Sequence, residues 1–450
     1  MVKIGWATRE MTPERPAMVQ GQMHVRIARE AMDPLTVTAL AIEANDVNDC
    51  ALLISCDMAY VSDAVVATVR EELGKLLPGV PAEKVVMNAT HTHTSMVFGD
   101  GFYAFPGGEV MSPAECAALI TARATAAAVE AWERRTPQTL TNAFSHAVVG
   151  HNRRAVYADG HAQMYGQTNR PDFTGIEGYE DHSLDMLFIR NLDGQLTGII
   201  LNVPCPSQVD EHLEAFSADF WHDIRLELRA RFGAGLFVLP MCGVAGDQSP
   251  HFLLYGHQEE LMRNRRGVTE RREIALRVAD GVARALECTP PATGDLPFAH
   301  LTRQLTLTPR QVNRAERDWA AAERERYIQQ NGADSWWPQR LGEVVAEYDG
   351  QRIPPPFTME LHVLRIGDVA LAYNPFELFL DYGLRIKARS VAGQTILTQL
   401  SHGLGWYLPT QRAVEGGSYG AMPAVSKVGP EGGQELVEET LRAIEELFAR

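Results

Sequence analysis

Short runs of apolar, β-branched residues bounded by turn residues recur along this chain, and stretches of helical period fill the intervals between them. The strand-like runs are residues 51–55, 84–87, 198–203, 235–241 and 395–400, with a hairpin over 359–365 and 369–373 that turns at Gly367-Asp368. Helical spacing covers 63–77, 113–134, 219–231 and 258–286. The alternation predicts an α/β fold, with mixed β-sheets, flanking helices and an antiparallel portion towards the C-terminus. No internal repeat is evident.

At 450 residues, 45% hydrophobic and 22% charged, the chain can bury one large core or two moderate ones. A net charge of −16 argues against general affinity for nucleic acid or anionic membrane. No apolar run reaches the length of a membrane helix, and the start Met1-Val2-Lys3-Ile4-Gly5 lacks the pattern of a signal peptide. Cys50, Cys56, Cys116, Cys205, Cys242 and Cys288 have no framework spacing, so free thiols in a cytoplasmic protein are expected.

Residues 311–330 form a densely charged helical segment leading into Ser335-Trp336-Trp337-Pro338. The stretch 311–356 is expected to be a helical excursion inserted between core strands, either a cap over a site or a solvated helix docked by its tryptophans. A last helix carries Leu436, Val437, Leu441, Ile444, Leu447 and Phe448 on one face, after Gly432-Gly433. Residues 1–450 are expected to make a single domain.

Polar residues cluster where the strands end. Residues 84–87 run into Thr90-His91-Thr92-His93-Thr94-Ser95, 198–203 into Pro204-Cys205-Pro206-Ser207-Gln208, and 235–241 into Gly246-Asp247-Gln248-Ser249. Two further strands end at Asn374-Pro375-Phe376-Glu377 and Ser401-His402-Gly403. Ligands of α/β sheets bind beyond the carboxyl ends of strands, so these five loops predict one shared site. His91 and His93 would share a face of an extended segment, where both can approach one metal or one can ligate while the other moves protons. Taken alone they also suit two hydrogen-bonded loop histidines, and the Gly-Asp-x-Ser turn suits a structural role.

These motifs, in this order, resemble the neutral (non-lysosomal) ceramidases. The opening Gly5-Trp6-Ala7-Thr8-Arg9-Glu10-Met11-Thr12-Pro13, the segment Asn152-Arg153, and Leu400-Ser401 followed by Tyr407 and Thr410 belong to the same resemblance, which runs from about residue 4 to residue 445. It implies that catalytic-domain fold and a zinc site, with His91, Glu377 and Tyr407 as ligands. It places an active-site histidine at His93, a second active-site tyrosine at Tyr419, and an arginine that contacts substrate or the developing oxyanion at Arg153. Ser249 falls on a serine that is either nucleophile or structural anchor. Zinc takes imidazole and carboxylate ligands and keeps a position open for water, which suits hydrolysis of an N-acyl amide.

Two departures qualify the resemblance. The family's second zinc histidine has no counterpart in Asn202-Val203-Pro204-Cys205-Pro206-Ser207-Gln208. Cys205 can supply a thiolate or merely fill space, and Gln208, His212 and His222 stand close in sequence. The family's C-terminal immunoglobulin-like domain and secretion signal are also missing, so the lipid substrate does not carry over with the fold. The expectation is a Zn2+-dependent hydrolase of an amide bond in a small or carbohydrate-like substrate, with no nucleic-acid partner and no membrane insertion, as a monomer or homo-oligomer. A metal-dependent glycoside- or ester-cleaving enzyme and a non-catalytic binding protein of the same fold are the alternatives.

Overall fold

The computed structural model describes the chain except for residues 45–49, 100, 291, 334 and 450. One order of strands and helices occurs three times. In the first run, β1 (Lys3–Glu10), β2 (Thr36–Glu43) and β3 (Cys50–Cys56) pair antiparallel in succession. Helix α1 (Asp63–Leu76) then crosses over, and β4 (Val85–Ala89) joins β3 in parallel. Helix α2 (Pro113–Glu133) packs back on β1 and β2.

The second run has β5 (Thr139–His146), β6 (Ser183–Arg190), β7 (Leu196–Val203), α3 (Phe220–Phe232) and β8 (Phe237–Cys242), again two antiparallel pairs and then a parallel one. Helices α4 (Gly256–Arg266) and α5 (Glu270–Cys288) follow. The third run begins with β9 (Phe298–Leu307). Helices α6 (Arg314–Asn331) and α7 (Trp336–Tyr348) pack on each other before β10 (Phe357–Ile366). Then come β11 (Val369–Tyr373), α8 (Leu380–Arg389), β12 (Gln394–Thr398), the short α9 (Gln411–Gly416) and α10 (Pro430–Phe448). Strands β9, β10 and β11 are antiparallel neighbours, and β12 is parallel to β11. A parallel pair needs a crossover of about a dozen residues or more, which α1, α3 and α8 supply.

Inner faces of all three sheets meet in one cluster that holds Trp6, Ile42, Leu53, Ile200, Leu239, Leu371 and Ile396. Outer faces are covered by their own helices, as where Ile120 and Ala124 of α2 join Ala39 and Leu52. Strands covered on both sides can be apolar throughout, which is why β3, Cys-Ala-Leu-Leu-Ile-Ser-Cys, shows no alternation.

Two boundaries differ from the sequence reading. The helix expected over 258–286 is broken, because α4 ends at Gly267 with φ of 67° and α5 starts anew on a Thr269 cap. The last helix begins at Pro430, so Gly432-Gly433 lie inside it, where Gly433 packs on the Tyr382 ring. The antiparallel pairing is also not confined to the C-terminal third. Among the described residues no helix is long and apolar enough to cross a membrane.

Candidate active site

The five polar loops are tied to one another through their backbones. His93 N donates to the Ser207 carbonyl at 3.3 Å, Gly243 N to Val203 at 2.8 Å, and Gly246 N to Leu378 at 2.7 Å. Gln399 N donates to Cys242 at 3.0 Å and Ser401 N to Asn374 at 2.9 Å. Loops from all three sheets are thereby locked into one surface, and its polar side chains are held by rigid supports.

His91 sits in the left-handed region, φ 63°, which turns its ring away from the line of β4. Its Nδ1 lies 2.6 Å from the Ala59 carbonyl, an acceptor, so that nitrogen carries a proton and, in the neutral ring, Nε2 is the atom with the lone pair. Nε2 stands 3.3 Å from Glu377 Oε2. In the neutral ring these are two acceptors facing each other, an arrangement that a cation between them completes; a protonated ring would instead donate to the carboxylate. Donors bound at ~2.0–2.1 Å in tetrahedral geometry around zinc lie about 3.3–3.4 Å apart, so the pair has the spacing of one edge of such a site.

Glu377 and Tyr407 come together through backbone pairing. The short strands Phe376–Leu378 and Trp406–Leu408 run parallel, with Glu377 and Tyr407 as register partners. Burial pushes the Glu377 carboxyl up, but His91, Arg153 and the Tyr407 hydroxyl outweigh it and hold the group below its ordinary range. Burial, together with Glu377, raises the Tyr407 hydroxyl well above its usual value. Tyr419 lies beside it, ring centroids 5.5 Å apart and edge to face.

Arg153 stands behind this group, only 4% exposed. It donates from Nη2 to the Tyr407 hydroxyl at 3.1 Å and to the Gly246 carbonyl at 2.9 Å, and the same nitrogen is 3.9 Å from Glu377 Oε2. Arg153 itself is not among the residues lining the pocket and meets it through Tyr407. Ser249 is also remote from the pocket surface. It belongs to a two-strand ladder, Gln248–Ser249 against His151–Asn152, that seats Arg153, and its Oγ accepts the His251 N–H at 3.2 Å. Asp247 accepts from Asn152 Nδ2 at 2.9 Å and Leu380 N at 2.8 Å, so the Gly-Asp-x-Ser turn is a bracket that joins the Arg153 segment to the strand of Glu377.

His93 lines the pocket with its ring edge-on to His91, centroids 4.9 Å apart. Its Nδ1 is 3.2 Å from Glu211 Oε2, and Glu211 Oε1 is 3.2 Å from His251 Nε2. Burial, reinforced by His91, lowers the His93 pKa against the pull of Glu211. Burial acts to raise the Glu211 carboxyl, yet contacts from His251, His93 and Gln208 hold it far below the ordinary range. Sequence reasoning missed Glu211, His251 and Tyr165, whose hydroxyl accepts from Arg153 at 3.3 Å.

The structure does not bring Cys205 to this surface. The residue is fully buried among Phe220, Trp221 and Ile224, its thiol donating to the Pro206 carbonyl at 3.5 Å, and burial pushes the thiol well up. Cys205 shares an apolar cluster with residues of α3 and is not among the residues that line the pocket of His91. Of the neighbours considered as substitutes, Gln208 donates to Glu211 at 2.9 Å, and the His212 ring is largely exposed.

A separate group, Glu360, His362 and His402, brings three donor atoms within 4.8 Å of one another. The His402 ring is already committed. Met87 N donates to His402 Nε2 at 2.9 Å, which places the His402 proton on Nδ1, facing Glu360 at 3.5 Å. His362 Nδ1 meets His300 Nε2 at 3.0 Å, and its Nε2 lies 2.5 Å from Glu360 Oε1, which Arg70 also holds at 2.5 Å. A ring accepting at one nitrogen cannot ligate through the other without becoming an imidazolate. This group is a buried polar knot between β10, α1 and β4.

Above His91 and Glu377 the pocket is walled by aromatic rings. Trp336 of α7 stacks on Trp406, centroids 5.0 Å apart and 6° between planes, and Phe102 leans on both. Segment 311–356 thus contributes a wall of the site, docked by its tryptophan.

No family model and no curated protein matches the chain. Solved structures that match include the neutral ceramidase of Pseudomonas aeruginosa and a ceramidase complexed with C2, each at a TM-score of 0.70 and 16% identity, over 99% of this chain and 75% of the other. In fold, then, this chain is a divergent counterpart of the neutral ceramidases.

Proposed function

We propose that this protein is a metal-dependent hydrolase that cleaves an N-acyl amide bond in a small substrate. One observation carries the reading: His91 Nε2 and Glu377 Oε2 converge at 3.3 Å, with the far side of the ring locked on Ala59. His91, Glu377 and Tyr407 would hold the ion, and imidazole with carboxylate donors is a ligand set that suits zinc. When bound, such an ion supplies Lewis acidity and an acidified water, with a pKa near 7 in zinc sites.

The chain's own residues then divide the remaining work. Arg153 donates to the Tyr407 hydroxyl and fixes its position. His93, with Nδ1 3.2 Å from the Glu211 carboxylate, would use Nε2 to take the proton of the attacking water and pass it to the departing nitrogen. The water oxygen bonds to the carbonyl carbon, the C–N bond breaks, and the proton ends on the released amine. Tyr419 faces the pocket beside Tyr407 and donates to the carbonyl oxygen as charge develops on it.

The test is a screen of zinc-loaded protein against N-acyl amino sugars, acyl-amino acids, glycosides, esters and short-chain ceramides. Release of a free amine that is abolished by chelation and by Glu377→Ala supports the proposal. Cleavage of glycosides or esters alone would replace it with the alternative chemistry.

A further inference from the structure

The aromatic wall carries two polar atoms that nothing in the described chain satisfies. Gln20 is 93% buried and lines the pocket, yet its Oε1 has no hydrogen-bond partner among the described residues. Ser335 is the N-cap residue of α7, where a serine oxygen ordinarily accepts from the second or third helical N–H. Here Ser335 makes no side-chain cap bond; its Oγ is buried and unpartnered, and the residue is one of those lining the pocket. Buried polar atoms are nearly always paired, so two orphans on one cavity wall mark where a ligand supplies the partners.

The rest of the wall narrows the ligand. Trp336, Trp406 and Phe102, packed on one another, line the same pocket as Gln20 and Ser335. No lysine or arginine is among the residues lining the pocket, so an anionic group has no counter-charge from the chain there. An alkyl chain would cover the rings but leave Gln20 and Ser335 desolvated and unbonded. A saturated ring with an apolar C–H face and a hydroxylated rim satisfies both demands at once.

We infer that Gln20, Ser335, Trp336, Trp406 and Phe102 form a subsite for a neutral saccharide ring, which would make the substrate an N-acylated amino sugar. The subsite stands on its own geometry, and only the identity of the substrate rests on the hydrolase reading above.

Titration of full-length protein with N-acetylglucosamine, N-acetylgalactosamine and methyl glucoside, followed by tryptophan fluorescence with and without chelator, separates the two claims. At least one sugar should give a saturable change that survives chelation. Gln20→Ala and Ser335→Ala should each raise its Kd at least fivefold, and Trp336→Phe should diminish the signal. No saturable response to any of the three sugars overturns the inference, and so does a Kd that neither polar variant moves. Sugar binding without amide hydrolysis would retire the hydrolase and leave the subsite standing. Amide hydrolysis without sugar binding would do the reverse.

Discussion

Glu377 and Tyr407 are register partners on two three-residue parallel strands, so the spacing of two candidate ligands is set by backbone hydrogen bonding. The Gly-Asp-x-Ser turn braces that pairing from beneath. A Cβ on Gly246 would stand 2.4 Å from the Glu377 carbonyl oxygen, and both are backbone-bound neighbours that cannot swing aside. Gly246→Ala should therefore push the Glu377 strand away, at a cost of about 1–3 kcal/mol in stability. Its affinity for zinc should fall at least tenfold, measured by competition with a chelating dye on protein shown to be folded.

Cys205→Ser should separate packing from ligation. The thiol lies in an apolar cluster, and a hydroxyl there costs about 1–2 kcal/mol. Zinc content should stay as in wild type, because Cys205 is not among the residues that line the pocket of His91. Urea denaturation and metal analysis on one preparation read both, and loss of zinc from a folded serine variant would return Cys205 to the ligand set.

Ser249 offers one visible bond, from the His251 N–H, and a buried place in the ladder that seats Arg153. Ser249→Ala should cost about 1 kcal/mol and keep most of the metal binding and of any hydrolysis. An acyl group trapped on Ser249 and located by peptide mass would contradict this.

Much of the fold was legible because strands covered on both faces are apolar along their length and break into polar loops at their ends. Those breaks located His91, Glu377 and the Gly246-Asp247 turn. The threefold order of elements was not legible, since it repeats pairing and connection rather than residues, and the third run is interrupted by α6 and α7. Glu211 escaped notice because it lies in Asp210-Glu211-His212-Leu213-Glu214, where a lone carboxylate in a charged stretch signals only solvation. Cys205 was read from its position in a motif, which does not show that it packs in an apolar cluster with residues of α3. Arg153 was expected to contact substrate or the developing oxyanion, and its burial with a bond to the Tyr407 hydroxyl could not be read from the motif.

Two buried carboxyls give stability a definite slope with pH. Burial pushes Asp219 and Asp247 up to about 6 from 3.8. The folded chain thus keeps protons that the unfolded chain releases. This contribution is complete below about pH 4 and is lost as pH rises through about 6. Asp247→Asn should remove its share: the stability of the variant relative to wild type should improve by roughly 2 kcal/mol between about pH 4 and about pH 6.5. Urea denaturation across that range measures the difference, and a difference independent of pH would contradict the assignment.

Metal content of purified and zinc-reconstituted protein tests the central claim most directly. Wild type should hold about one zinc per chain, and His91→Ala and Glu377→Ala should each lose it while keeping the wild-type circular dichroism spectrum. Wild-type protein that binds no transition metal after reconstitution, or variants that hold zinc as tightly as wild type, would contradict the account.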